Sequence, residues 1–112
     1  MELQIRRIML FVNDIEAMAA FYEKRLGLKV LTRDDGFVDF DAGACRLALH
    51  SSRNVTPGAT KICFYAADVS AARAELVARG VKMGKDPGPG EGLKLCNAKD
   101  PEGNIIQLSN RQ

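Results

Sequence analysis

Between Arg6 and Val12 the chain alternates around a β-branched and apolar run, which is the period of a strand. Arg7, Met9 and Phe11 then point to one face, and Ile8, Leu10 and Val12 to the other. From Ile15 the period changes. Ile15, Met18, Phe21, Tyr22 and Leu26 fall at helical spacing, behind Asn13 and Asp14, which suit a helix start, and ahead of Gly27, which suits its end. Glu16 in the first turn and Lys24 and Arg25 in the last match the helix dipole. The apolar stripe reads as core rather than as a cofactor box. Three short runs follow as strands: Lys29–Arg33, Phe37–Asp41 and Arg46–His50. They are joined by Asp35-Gly36, a strong hairpin signal, and by Ala42-Gly43. In the last strand Leu47 and Leu49 share one face, and Arg46, Ala48 and His50 the other.

The order then recurs. Ser51–Thr60, with Asn54, Pro57 and Gly58, reads as a linker. Lys61–Tyr65 is a strand that puts Lys61, Cys63 and Tyr65 on one face. Asp68 opens a second helix, with Val69, Ala72 and Leu76 on its buried side, supported by Val77. Arg73 and Arg79 lie on the solvated side, with Glu75 four positions before Arg79. Gly80 ends the helix. Val81–Lys85, Leu93–Ala98 and Asn104–Ser109 read as strands, the last two joined through Asp100-Pro101-Glu102-Gly103. Asp14 and Asp68 lie 54 positions apart, and Gly27 and Gly80 lie 53 apart. This spacing implies one domain over 1–112 built from a duplicated module, the first at about 3–52 and the second at about 60–110. A half of this size buries only about 60% of its unfolded surface. The halves are therefore expected to share a core or to pair across a dimer. The Asp86–Gly92 loop is rich in proline and glycine but is not a phosphate loop, since no Lys-Ser/Thr follows the glycines. It reads as a plain hairpin connection or as a lid.

Composition narrows the classes of function. A chain of 112 residues with 46% hydrophobic content suits one globular domain. A net charge of +2, with no basic run, does not argue for nucleic acid. No apolar run reaches the length of about 18 residues that a membrane span needs. The charged start (Glu2, Arg6, Arg7) lacks the pattern of a signal peptide. Cys45, Cys63 and Cys96 are odd in number and form no Cys-x-x-Cys pair, so they read as free thiols of a cytoplasmic protein.

Val12-Asn13-Asp14-Ile15-Glu16, leading to Ala20-Phe21-Tyr22 and Leu26-Gly27, together with the Asp100-Pro101-Glu102-Gly103-Asn104 turn before the last strand, resembles the vicinal-oxygen-chelate superfamily. This group includes glyoxalase I, bleomycin-resistance proteins and extradiol dioxygenases. The resemblance spans nearly the whole chain. It implies an α+β fold of two βαβββ modules, with a curled mixed sheet around a cleft, usually in a homodimer. It also implies metal ligands (His, Glu or Gln) from the first and last strand of each module. Here those positions carry Arg7, Ala48, Lys61 and Gln107, of which only Gln107 can bind a metal. A divalent ion needs anionic or imidazole donors, and the chain has one histidine. The expectation is therefore a protein with no metal and no cofactor.

Arg7 and Lys61 have two readings. They reach solvent or pair with Asp39, Asp41 or Glu91, or they replace the ion with fixed charge that receives an anionic or carbonyl-bearing ligand. His50, on the face of Ala48, is a ligand-contacting group or an edge residue. Met9, Phe11, Cys63, Tyr65 and Ile105 supply a mostly apolar wall that suits a small organic ligand or a partner subunit. Three functions follow. The first is a metal-free small-molecule-binding protein similar to the bleomycin-resistance branch. Its contacts would be Arg7, Met9, Phe11, Ala48, His50, Lys61, Cys63, Tyr65 and Gln107, in a homodimer with no nucleic-acid or membrane partner. The second is a lyase, isomerase or dioxygenase acting on a small carbonyl or aromatic substrate, with acid–base roles for Gln107, His50 or Tyr65. The third is a dimerisation or regulatory module.

Overall fold

Strand β1 (Arg7–Val12) does not pair with the strand that follows it. It runs parallel beside β4 (Arg46–Ser51), which pairs antiparallel with β3 (Phe37–Asp41), and β3 pairs antiparallel with β2 (Lys29–Asp34). A parallel pair needs a long crossover. Here the crossover contains helix α1 (Ile15–Ala20), one of whose free N-terminal amides is capped by Asp14: the Ala17 N–H donates to Asp14 Oδ1 at 3.1 Å. The computed structural model describes residues 1–56 and 60–112, so Pro57 and Gly58 of the expected linker lie outside the described residues. Two units emerge, Met1–Thr56 and Pro57–Gln112, each with its own open sheet.

In the first unit the sheet buries Val12, Val38, Phe40, Leu47 and Leu49 with Met18, Ala19 and Tyr22 of the helical segment. The sequence reads one continuous helix to Leu26. The structure instead passes from α1 into a π-helical turn, Phe21–Arg25, before Gly27 takes the left-handed conformation at φ 79°. The neighbouring aromatics give a physical reason. Consecutive side chains diverge by about 100° on an α-helix, yet Phe21 and Tyr22 are both buried, edge to face at 5.3 Å, and Tyr22 also lies 6.3 Å from Phe40. A wider turn brings both rings to the core.

The second unit repeats the plan with fewer strands. Strand β5 (Lys61–Tyr65) lies parallel to β7 (Ile105–Ser109), which pairs antiparallel with β6 (Leu95–Lys99). Helix α2 (Val69–Ala78) is capped by Asp68, whose Oδ1 accepts from the Ala71 N–H at 2.9 Å. The two caps share a backbone geometry, φ −117°, ψ 91° at Asp14 and φ −116°, ψ 94° at Asp68. The expected α+β class with two modules is thus observed.

Four details of the sequence reading change. Residues 81–85 form no strand; this stretch makes a single ladder bond, from Gly84 N–H to the Asn97 carbonyl at 2.8 Å. The Gly84 carbonyl is taken by Arg73 Nε at 2.8 Å and Cys96 Sγ at 3.6 Å, so it is not free for a neighbouring strand. Arg73 therefore ties the helix to this segment and does not simply face solvent. Val77 is 46% exposed, because the buried stripe runs through Val69 and Leu76 and leaves position 77 off to the side. The Asp86–Gly92 loop is pinned. Asp86 Oδ1 accepts from Ser70 Oγ at 2.7 Å and from Gly88 N–H at 3.0 Å, and Asn110 Nδ2 donates to the Gly92 carbonyl at 3.0 Å. The Asp100 carboxylate is likewise spent within its own turn, on the backbone amides of Glu102 and Asn104 and on Asn104 Nδ2. No described helix is long and apolar enough to cross a membrane.

Replacing Asp68 with alanine is expected to lower stability by about 1 kcal/mol, the usual worth of such a cap. Urea denaturation followed by circular dichroism would measure this.

Candidate functional site

Residues paired across neighbouring strands share a face. Each sheet therefore carries a grid of three rows on the side opposite its helix. In the first unit the rows begin with Arg7, Met9 and Phe11 on β1. They continue with Arg46, Ala48 and His50 on β4, and with Asp41, Asp39 and Phe37 on β3. In the second, Lys61, Cys63 and Tyr65 on β5 lead to Ile105, Gln107 and Ser109 on β7, and then to Lys99, Asn97 and Leu95 on β6. The positions expected to contact a ligand thus lie on the outward grids: Arg7, Met9, Phe11, Ala48 and His50 on one sheet, Lys61, Cys63, Tyr65 and Gln107 on the other.

The first grid is closed on itself electrostatically. Asp39 is 1% exposed, a position that a carboxylate holds only with partners. Arg7 meets it with two parallel bonds, Nε to Oδ1 at 3.1 Å and Nη2 to Oδ2 at 3.0 Å, and Arg46 Nη1 adds a third to Oδ2 at 3.4 Å. The hydrogen bonds from Arg7 come first in holding the Asp39 carboxyl below the usual carboxylate range, against the opposing effect of burial. Strand β4 lies between β1 and β3, so Arg7 must cross it to reach Asp39. The small Ala48, 0% exposed, leaves room for that crossing. Arg7 thus makes the pairing with Asp39 that is one of its two readings. His50 is exposed; its Nδ1 donates to the Ser51 carbonyl at 2.8 Å, and its ring lies 5.5 Å from that of Phe11.

The second grid is built differently. Gln107 occupies the place of Ala48, and Asn97 that of Asp39. Gln107 Nε2 donates to Asn97 Oδ1 at 2.9 Å, and Cys63 Sγ donates to Gln107 Oε1 at 3.6 Å, giving a polar row of thiol and two amides. Beside it lies a hollow of about 430 Å³ lined by Lys61, Cys63, Tyr65, Gln107, Leu95 and Arg111. All four site residues expected from this half line it. Sequence reasoning missed Arg46, Asn97, Leu95 and Arg111. Strand parity would have placed Asn97 and Leu95 on the correct face, but which β6 residue stands beside Gln107 depends on the register.

A divalent ion does not fit the positions that the sequence resemblance points to. Arg7 is engaged with Asp39, Ala48 has no donor, Lys61 is a cation, and Gln107 is bonded on both sides of its amide. Among the described residues no three His, Cys, Asp or Glu side chains gather as a metal site requires.

Residues 4–108 match the family model described as the Glyoxalase/Bleomycin resistance protein/Dioxygenase superfamily. Among solved structures, the chain is similar to a protein from the mobile metagenome of V. Pseudocholerae, at 28% identity and TM-score 0.76 over 97% of this chain and 95% of that one. It shares its fold with a lactoylglutathione lyase from Agrobacterium tumefaciens (24% identity, TM-score 0.76, 94% and 91% covered). The same holds for a glyoxalase/bleomycin resistance protein/dioxygenase from Nocardioides (21% identity, TM-score 0.81, 97% and 83% covered). No curated protein matches the sequence.

Substituting Asp39 with asparagine is expected to cost about 1–3 kcal/mol, the range for charge-assisted bonds lost from a buried group. The folded-state pKa of Asp39 is depressed, so its contribution is complete above the ordinary carboxylate range and disappears as pH falls through the folded value. Denaturation midpoints from pH 7 downward should show an acid limb that is shallower in Asp39→Asn.

Proposed function

The chain belongs to the Glyoxalase/Bleomycin resistance protein/Dioxygenase superfamily, and from that premise we propose that it binds a small organic molecule without a metal ion, in the manner of the bleomycin-resistance branch. One observation carries the reading: three of the four residues standing at the metal-ligand positions that the resemblance implies are turned to other work. Arg7 closes over Asp39, Ala48 provides clearance, and Gln107 organises the amide row beside the hollow. That hollow falls within the volume range of small-ligand sites, with apolar and aromatic surface (Tyr65, Leu95) beside charged and amide groups (Lys61, Arg111, Gln107). Cytoplasmic residence and a homodimer are part of the same proposal. The dimer is supported by the exposed apolar side chains Ile8 and Met9 on β1, an edge strand of its sheet.

Dialysis against a chelator is expected to leave the thermal midpoint and the ligand response unchanged, and elemental analysis to find far less than one divalent ion per chain. A tightly held stoichiometric ion, or turnover of a hemithioacetal or catechol that is lost on chelation, would replace this reading with a metal-dependent enzyme. Light scattering at micromolar concentration should give the mass of two chains.

A further inference from the structure

Comparing the two grids row by row exposes a difference in charge. Each has two cations in its first row or beside it: Arg7 and Arg46 in one, Lys61 and Lys99 in the other. In the first unit carboxylates stand among them, Asp39 and Asp41. In the second the equivalent places hold Asn97 and Lys99. No carboxylate side chain lines the 430 Å³ hollow, although Lys61 and Arg111 both do. Among the described residues neither Lys61 nor Arg111 takes part in a side-chain ion pair, whereas Arg7 and Arg46 share Asp39.

The amides add to this imbalance. Asn97 Oδ1 accepts from Gln107, and Gln107 Oε1 accepts from Cys63. Both amide oxygens are therefore engaged within the row, while the two N–H groups of Asn97 remain as donors. The face of the second unit thus offers positive charge and N–H groups, with the amide oxygens of Asn97 and Gln107 each already accepting one bond. Tyr65, 56% exposed, and Leu95, 42% exposed, supply apolar surface in the same hollow.

We infer that the second unit's face receives a small organic anion, with its charged group at Lys61 and Arg111 and its apolar body against Tyr65 and Leu95, while Arg7 takes no part in recognition. This rests on the small-molecule reading above and narrows it to one ligand chemistry and one half of the chain. A cation lining a hollow without a counter-ion gains most from a ligand that brings one. The same face repels a cationic ligand.

Benzoate and benzamide share a ring and differ in charge, so the pair isolates the claim. Titrated into isotope-labelled protein, benzoate is expected to shift the backbone amides of Cys63, Tyr65 and Gln107 saturably, and benzamide to bind at least tenfold more weakly. Lys61→Met and Asn97→Asp should each weaken benzoate at least tenfold, the first by removing the charge and the second by placing a carboxylate on the face. The exposed substitution Lys24→Met, in the first unit, should leave the titration unchanged. Phenyl phosphate in a parallel titration reports whether a carboxylate or a phosphate is preferred. Equal binding of benzoate and benzamide, or undiminished benzoate binding in Lys61→Met, would overturn the anion inference and leave the small-molecule reading standing. Silence from all three probes at these amides would count against both.

Discussion

Because β1 and β5 each run parallel beside the last strand of their own unit, residues far apart in the chain become side-by-side neighbours. Met9 meets Ala48, and Cys63 meets Gln107, only through that pairing. The crossover that makes it possible carries the helix, and the helix covers one side of each sheet with apolar contacts. The opposite side is left for polar groups in rows whose spacing the strand pleat imposes. What stands in those rows sets the chemistry that each face can offer.

The two rows that contain Ala48 and Gln107 show how one scaffold supports opposite electrostatic outcomes. A carboxylate at the Asp39 position is almost wholly removed from water, so it requires cations, and Arg7 can reach it only because the intervening residue is small. An amide at the Asn97 position carries no such demand. Its oxygen is satisfied by a neutral glutamine, and nearby cations keep their charge for something else. Burial of one charged group thus consumes the positive charge of the first face, and its absence preserves that of the second. The ordering is steric as well as electrostatic, since a glutamine in place of Ala48 would stand in the path of the arginine.

Much of the architecture was readable from the chain. The periodicity of Arg6–Val12 and the Asp14 and Asp68 caps located strands and helices within a residue or two, because these features depend on local chemistry. The 54-residue repeat of the caps showed the duplication. Three things were not readable, each for a non-local reason. The π-helical turn arises from two adjacent aromatics competing for one core. The missing strand at 81–85 follows from Arg73 and Cys96 claiming the Gly84 carbonyl. The commitment of Arg7 depends on β3 register, which no pattern within β1 specifies; Asp39 appeared in the sequence only as one of three candidate partners. The candidate residues Lys61, Cys63, Tyr65 and Gln107 came together because strand parity alone was enough to place them on one face.

Gly84 does not line the hollow, yet it sits against the backbone that carries Asn97. A methyl group there would stand 3.0 Å from the Asn97 carbonyl oxygen, closer than carbon and oxygen comfortably approach. Any larger residue at this point would require the Asn97 carbonyl to give way by a few tenths of an ångström. The position of the Asn97 amide beside Gln107 is therefore linked to a residue outside the hollow. A change at Gly84 would reach the second face through the backbone of β6 and not through its exposed side chains.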